Sequence, residues 1–244
     1  MGKLKNLGSK LLAGPYVIWM LLFTVIPLGL IIYNGFTNSD GRFTFKYVAA
    51  IADPVNAKPL LLSFEMSLIV TVVCLLLAFP LAVILSKYST DKNSFIVMIF
   101  ILPMWMNFML RTLAWRLILL NNGFLNQFLT MLGLSKVYLM NTKAAIIFGT
   151  AYDYFPFMVL PIYNAVVKID KDVINAAKDL GATNSVVLRK IILPLSVPGI
   201  VSGITMVLVP SMSEFVIADM LGGGKIYLIG NAIEQAFNSG YADV

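Results

Sequence analysis

Four carboxylates stand in or beside the apolar stretches of this 244-residue chain: Glu65, Asp153, Glu214 and Asp219. An ionisable group inside an apolar span is costly to hold there, so it faces a bundle interior or an aqueous path, or it is paired. Asp153 is set between Tyr152 and Tyr154, with Phe155 and Phe157 following, and Trp105 and Trp115 lie earlier in the chain. A carboxylate among aromatic faces suits a cation, since one ring face offers a cationic group roughly 0.5–2 kcal/mol. We read Asp153 as a pathway carboxylate. The competing reading is an ion pair with Arg111 or Arg116. Glu65 has a second reading at the outer headgroup level, and Asp219, close to Gly222, Gly223 and Gly224, has one as a turn cap. For the Trp and Tyr rings the second reading is an interfacial aromatic belt.

Other chemistries lack their residues. The chain has no His and one cysteine, Cys74, so there is neither a disulfide framework nor a metal-ligand spacing. Gly222–Lys225 lacks the flanking glycine and the following Ser or Thr of a phosphate-binding loop. No nucleophile elbow or paired catalytic carboxylates occur. Catalytic residues and bound metal are therefore not expected, and any energy that the chain's work needs comes from another polypeptide or an ion gradient.

The elements that must position these groups are apolar helices. Hydrophobic residues make up 59% of the chain and charged ones 12%, against about 25% charged in a soluble domain. The solvent of this chain is lipid, and its net charge of +6 is dispersed rather than gathered for nucleic acid. A crossing helix needs about 20 mostly apolar residues. Five spans are expected, at 15–35, 63–86, 94–116, 144–167 and 195–215, giving an all-α polytopic membrane protein of one domain, 1–244. Lys3, Lys5, Lys10, Lys87, Lys92, Lys168, Lys171, Lys178, Arg189 and Lys190 fall on one side if the spans alternate. The bias puts the N-terminus and residues 168–194 in the cytoplasm.

Residues 168–194 form a polar, basic insert between two spans. Val173, Ala176, Ala177 and Leu180 recur at helical spacing, Gly181 breaks or caps that helix, and Val186, Val187 and Ile191 lead through Leu193 and Pro194 into the next span. The competing reading is an amphipathic helix lying on headgroups.

The spacing Ala176-Ala177, three residues, Gly181, nine residues, Ile191-x-Leu193-Pro194 resembles the EAA loop of permease subunits of bacterial ABC importers. Asn175 stands where that family has its leading Glu; Asp170, Asp172 and Asp179 lie nearby. Pro103–Arg111, Asn122–Asn126, Tyr154–Pro161 and Asp219–Gly224 are similar to spermidine/putrescine permeases of the PotB type. The resemblance implies a type I importer transmembrane domain whose sixth span is missing here, the chain being cut short at its C-terminus. It implies that Asn175, Ala176, Ala177, Asp179, Gly181, Ala182, Ile191, Leu193 and Pro194 couple to an ATPase. The implied partners are a second homologous permease, two ATP-binding subunits carrying ATP and Mg, and an extracytoplasmic substrate-binding protein, with no cofactor on this chain. The implied activity is polyamine import by alternating access into a bacterial cell, with Asp153, Tyr152, Tyr154, Phe155, Trp105, Glu214, Asp219 and Glu65 along the cargo path. The alternatives are a permease for another small solute, a secondary carrier or channel, for which no internal repeats are seen, and a membrane enzyme, for which catalytic residues are lacking.

Overall fold

A computed structural model describes residues 14–38, 40–87, 102 and 104–239, and among these every extended element is a helix. The described chain divides into an N-terminal unit ending at Ala57 and a larger unit, Lys58–Asn238.

The first unit begins with α1, Gly14–Gly35, which is long and apolar enough to cross a membrane. Its Leu21–Val25 stretch widens into a π turn, with Ile26 N–H donating to the Leu21 carbonyl. Proline two residues after the π turn is the cause: Pro27 has no N–H to give, and its ring crowds the preceding turn. Beyond α1, a bridge between Thr37 and Phe43 closes a short loop. The rings of Phe36, Phe43 and Phe45 pack on one another with centroids 5.0–5.9 Å apart.

Helix α2 runs over Pro54–Lys87, starting at 54 where the apolar run predicts 63. Asp53 is the reason. Its side chain accepts from Val55 N–H at 3.2 Å, its carbonyl accepts from Asn56 and Ala57, and Pro54 at the first helical position has no N–H to leave unpaired.

The predicted third span, 94–116, lies partly outside the described residues. Within them it is not continuous, because a new helix, α3 (Phe108–Leu119), begins where the Asn107 side chain accepts from Met109 N–H. A side-chain oxygen there replaces the backbone acceptor that a continuing helix would supply. The short α4, Phe124–Met131, follows. Its fully buried Asn126 donates to Val137 O and accepts from Val137 N–H, tying down the loop beyond it.

Helix α5, Lys143–Val167, is the next crossing helix, capped by Thr142. After α6, Lys171–Asp179, comes α7, a continuous helix over Asn184–Met212. The prediction started this span at 195. The structure absorbs the second half of the polar insert into the helix because a π turn at Leu188–Ile192 accommodates Pro194, as the turn before Pro27 does in α1. Two short helices, α8 (Val216–Gly222) and α9 (Ile229–Asn238), complete the larger unit.

The core of that unit lies between α2, α5 and α7. Val70, Cys74, Ala78 and Ala82, four residues apart on α2, meet Met158, Val159, Ile162 and Val166 of α5 and Val207 of α7. Gly199 and Gly203 bring α7 against α5. A Cβ at Gly199 would stand 2.5 Å from the Pro161 carbonyl, and one at Gly203 2.8 Å from Met158 Sδ. Small residues one turn apart permit backbone approach that apolar lipid gives no other reason to favour. The expected all-α, multi-spanning architecture is what forms.

Candidate functional site

Two constellations collect the predicted residues. The first is the polar segment. Asp170 caps α6, its side chain accepting from Asp172 N–H at 2.9 Å. The far end closes on Gly181, whose φ of 84° is the left-handed conformation that glycine adopts without penalty. Ala182 N–H donates to Ala177 O at 3.0 Å and Gly181 N–H to Lys178 O at 2.8 Å, the paired bonds of a Schellman cap. Gly181 is thus a cap, one of the two roles that the spacing leaves open.

The predicted stripe of Val173, Ala176, Ala177 and Leu180 splits in two. Ala177 packs on the core together with Ile174, Ala182 and Ile191. Val173 and Leu180 face out, Leu180 with 89% of its surface exposed, and Ala176 is exposed beside them. Val173, Ala176 and Leu180 together leave one outward face of this capped segment apolar, which makes it a candidate interaction surface. Asn175 and Asp179 are exposed, and Leu193 and Pro194 lie on the body of α7.

The second constellation is charged and lies within the bundle. Asp153 on α5 is 6% exposed, and Arg111 Nη2 on α3 stands 3.3 Å from its Oδ1. Thr112 donates to Asp153 Oδ2 at 3.4 Å. So Asp153 is held in the ion pair that competes with its pathway reading, and access to it requires Arg111 to give way. Arg111 Nε and Nη1 are buried without a hydrogen-bond partner among the described residues. Arg116, the other predicted counterion, is exposed.

One residue along α5, Tyr154 donates its hydroxyl proton to Glu214 Oε2 at 3.1 Å. Glu214 sits in the break between α7 and α8, where its other oxygen accepts from the N–H groups of Val216 and Ile217 at 3.1 and 3.2 Å. Free N–H groups at a helix start are a natural seat for a carboxylate. Trp115 packs edge-on against Phe148 and Tyr152 at 4.6 and 5.2 Å. Tyr154 and Phe157 lie 6.0 Å apart, while Phe155 packs on the core and Trp105 is 74% exposed.

Two predicted carboxylates stand elsewhere. Glu65 is exposed on α2 and lies 3.7 Å from Lys143 Nζ. Asp219 on α8 accepts from Asn231 Nδ2 at 2.7 Å. Burial raises the Asp219 carboxyl pKa, Glu234 adds to the rise, and the Asn231 bond opposes it. Thr112 and Asn231 are missed by sequence reasoning. Thr112 could have been found from its place next to Arg111, whereas nothing in the sequence marks Asn231, which is joined to Asp219 only by the turn between α8 and α9.

Residues 25–241 match the family described as binding-protein-dependent transport system inner membrane component. The chain belongs to that family. Among its relatives, the spermidine/putrescine transport system permease protein PotB of Salmonella typhimurium is 37% identical over 227 residues, 90% of this chain and 79% of that protein. The protein of the same name from Escherichia coli strain K12 is 36% identical over 227 residues, 90% and 82% of the two chains. A bacterial ABC transporter involved in import of the acidic polysaccharide alginate shares the fold, with a TM-score of 0.66 at 18% identity over 100% of this chain and 90% of that one. As an inner membrane component of such a system, this chain is a permease subunit, in agreement with the resemblance carried by Ala176–Pro194. The outward face of α6 and the charged constellation of the buried Arg111–Asp153 pair and the half-buried Tyr154–Glu214 pair are its two candidate working parts.

Proposed function

We propose that this chain is one half of the membrane pore of an ATP-driven polyamine importer and carries no catalytic activity of its own. The observation that carries the reading is the outward apolar face of α6, with Leu180 exposed at its capped C-terminal end. An ATPase subunit receives that face, two such subunits bind ATP and Mg, and a second homologous permease completes the pore. The lysine bias supports a cytoplasmic side for α6 and the N-terminus, and a binding protein delivers cargo from the opposite side. Closure of the nucleotide subunits moves α6, the bundle opens outward to accept cargo, and ATP hydrolysis resets it. The cargo assignment rests on relatives more than one-third identical that are named as spermidine/putrescine permeases.

The charged constellation fits a polycation. Asp153 and Glu214 are carboxylates reached from adjacent positions of α5, and aromatic rings stand beside them. Arg111 holds Asp153 when no cargo is present, and a cargo ammonium replaces it. The test is uptake of labelled spermidine and putrescine by cells producing this chain with an ATPase, a second permease and a polyamine-binding protein. ATP-dependent uptake that disappears without this chain is expected. Uptake indifferent to this chain would overturn the reading.

A further inference from the structure

Helix α6 has a second face. Lys171, Ile174, Asn175 and Lys178, at spacings of three and four, line a cavity of about 680 Å³ on the side away from Val173 and Leu180. The end of α2, with Ser86 and Lys87, the end of α5 and the start of α7 close the rest of it. Its floor is apolar, built from Val83, Val166 and Ile192, each less than 10% exposed.

Among the described residues the polar wall has one sign of charge. Lys87, Lys171 and Lys178 bring three ammonium groups, and Asn175, Asn184 and Ser185 bring neutral donors. No carboxylate is among the described residues that line it, and among the described residues none of the three lysines is in an ion pair. The neighbouring groove of about 540 Å³ between α5 and α7 differs, because there Lys168 lines the wall together with Asp170.

Asn175 gives the cavity this character. A carboxylate at 175 would stand among the three ammonium groups and neutralise the wall from within; the amide leaves them for an outside anion. The cavity also lies where the crossing helices α2 and α5 end, and the ends of helices that cross a bilayer stand near its headgroups. Basic pockets between crossing helices at that depth take phosphate headgroups, and the floor of valine and isoleucine suits the glycerol and first methylenes of a lipid.

We propose that this cavity binds the phosphate of an anionic membrane lipid. A lipid seated there touches α2, α5, α6 and α7 together, so it holds the inner face of α6 against the bundle while leaving the Leu180 face free.

The test uses the full chain in nanodiscs of phosphatidylcholine with phosphatidylglycerol, followed by native mass spectrometry of the lipid retained. The variants are Asn175→Glu and the double Lys87→Gln/Lys178→Gln, all at exposed positions, with Leu180→Asp as a control on the opposite face. Wild type and the control are expected to retain phosphatidylglycerol, and each charge removed or opposed weakens retention about fivefold. Inorganic phosphate titrated against the bound lipid distinguishes the source. Displacement with the same dependence on the variants assigns the site to phosphate as such, and failure to displace assigns it to the lipid. Equal retention by wild type and both variants, or no retention of either probe by wild type, overturns the proposal.

Discussion

Arg111 Nη2 stands 3.3 Å from Asp153 Oδ1, and both side chains are more than nine-tenths buried. The pair joins α3 to α5 in the interior of the bundle, where a buried ion pair adds little net stability but its half-removal is severe. Asp153→Asn therefore leaves a buried guanidinium without a counterion and costs about 3–5 kcal/mol. Arg111→Gln/Asp153→Asn removes both charges and recovers most of that loss. If Asp153 also receives cargo, the double variant accumulates in the membrane at close to the wild-type level and still fails in spermidine uptake. Immunoblotting beside uptake measures both, and recovery of uptake in the double variant would reduce Asp153 to a partner for Arg111.

The exposed face of α6 makes a different prediction. Leu180 touches little within its own chain, so Leu180→Asp is expected to change stability by no more than about 0.5 kcal/mol. It places a charge at the centre of the proposed ATPase contact. Affinity purification should recover the chain folded and inserted, with the ATPase subunit lost and uptake abolished. An ATPase that still co-purifies in normal amount would move the contact elsewhere.

The architecture was legible because lipid imposes long uncharged runs, and 144–167 shows it: the observed helix begins at Lys143 and ends at Val167. The errors fall where a single polar or imino residue decides an end. Asp53 and Pro54 start α2 early, Asn107 starts α3 afresh, and a π turn before Pro194 lets α7 begin at Asn184. Each signal stood in the sequence, but hydropathy outweighed it. The site was half legible. Asp153, Tyr154 and Glu214 could be named from type and position, and Arg111 as one of two counterions for Asp153, whereas the choice of Arg111 over Arg116 and the pairing of Tyr154 with Glu214, 60 residues away, could not. The face of α6 that points outward was equally hidden, since a stripe of apolar residues does not say which of them the bundle will claim.

Gly181 separates backbone conformation from space. No atom lies within 4 Å of where its Cβ would be, so a substitution there meets no clash and its cost comes from the positive φ alone. Gly181→Val is expected to lose about 1–2 kcal/mol of local stability, fray the end of α6 and reduce both ATPase recovery and uptake. Gly181→Asn, whose side chain tolerates the left-handed region, retains more of both. Hydrogen exchange at Gly181 and Ala182, whose N–H groups make the cap, reads the fraying directly; equal protection in the two variants would contradict it.

Asp219 gives a pH dependence whose sign follows from its surroundings. Burial first and Glu234 second raise its carboxyl pKa above the ordinary carboxylate value, against the opposing bond from Asn231. A carboxyl whose folded pKa is raised favours the folded state in its protonated form. Its contribution is fully present below the unfolded pKa and is lost as pH rises through the raised folded value. Asp219→Asn keeps an oxygen to accept from Asn231 and removes the charge that faces Glu234. Thermal unfolding of the variant from acidic to neutral pH is expected to lose less stability with rising pH than wild type does. The two should converge at the acid end, and the variant should be the more stable one near neutrality. Curves that stay parallel throughout would mean that Asp219 titrates in the folded protein as it does in the unfolded chain.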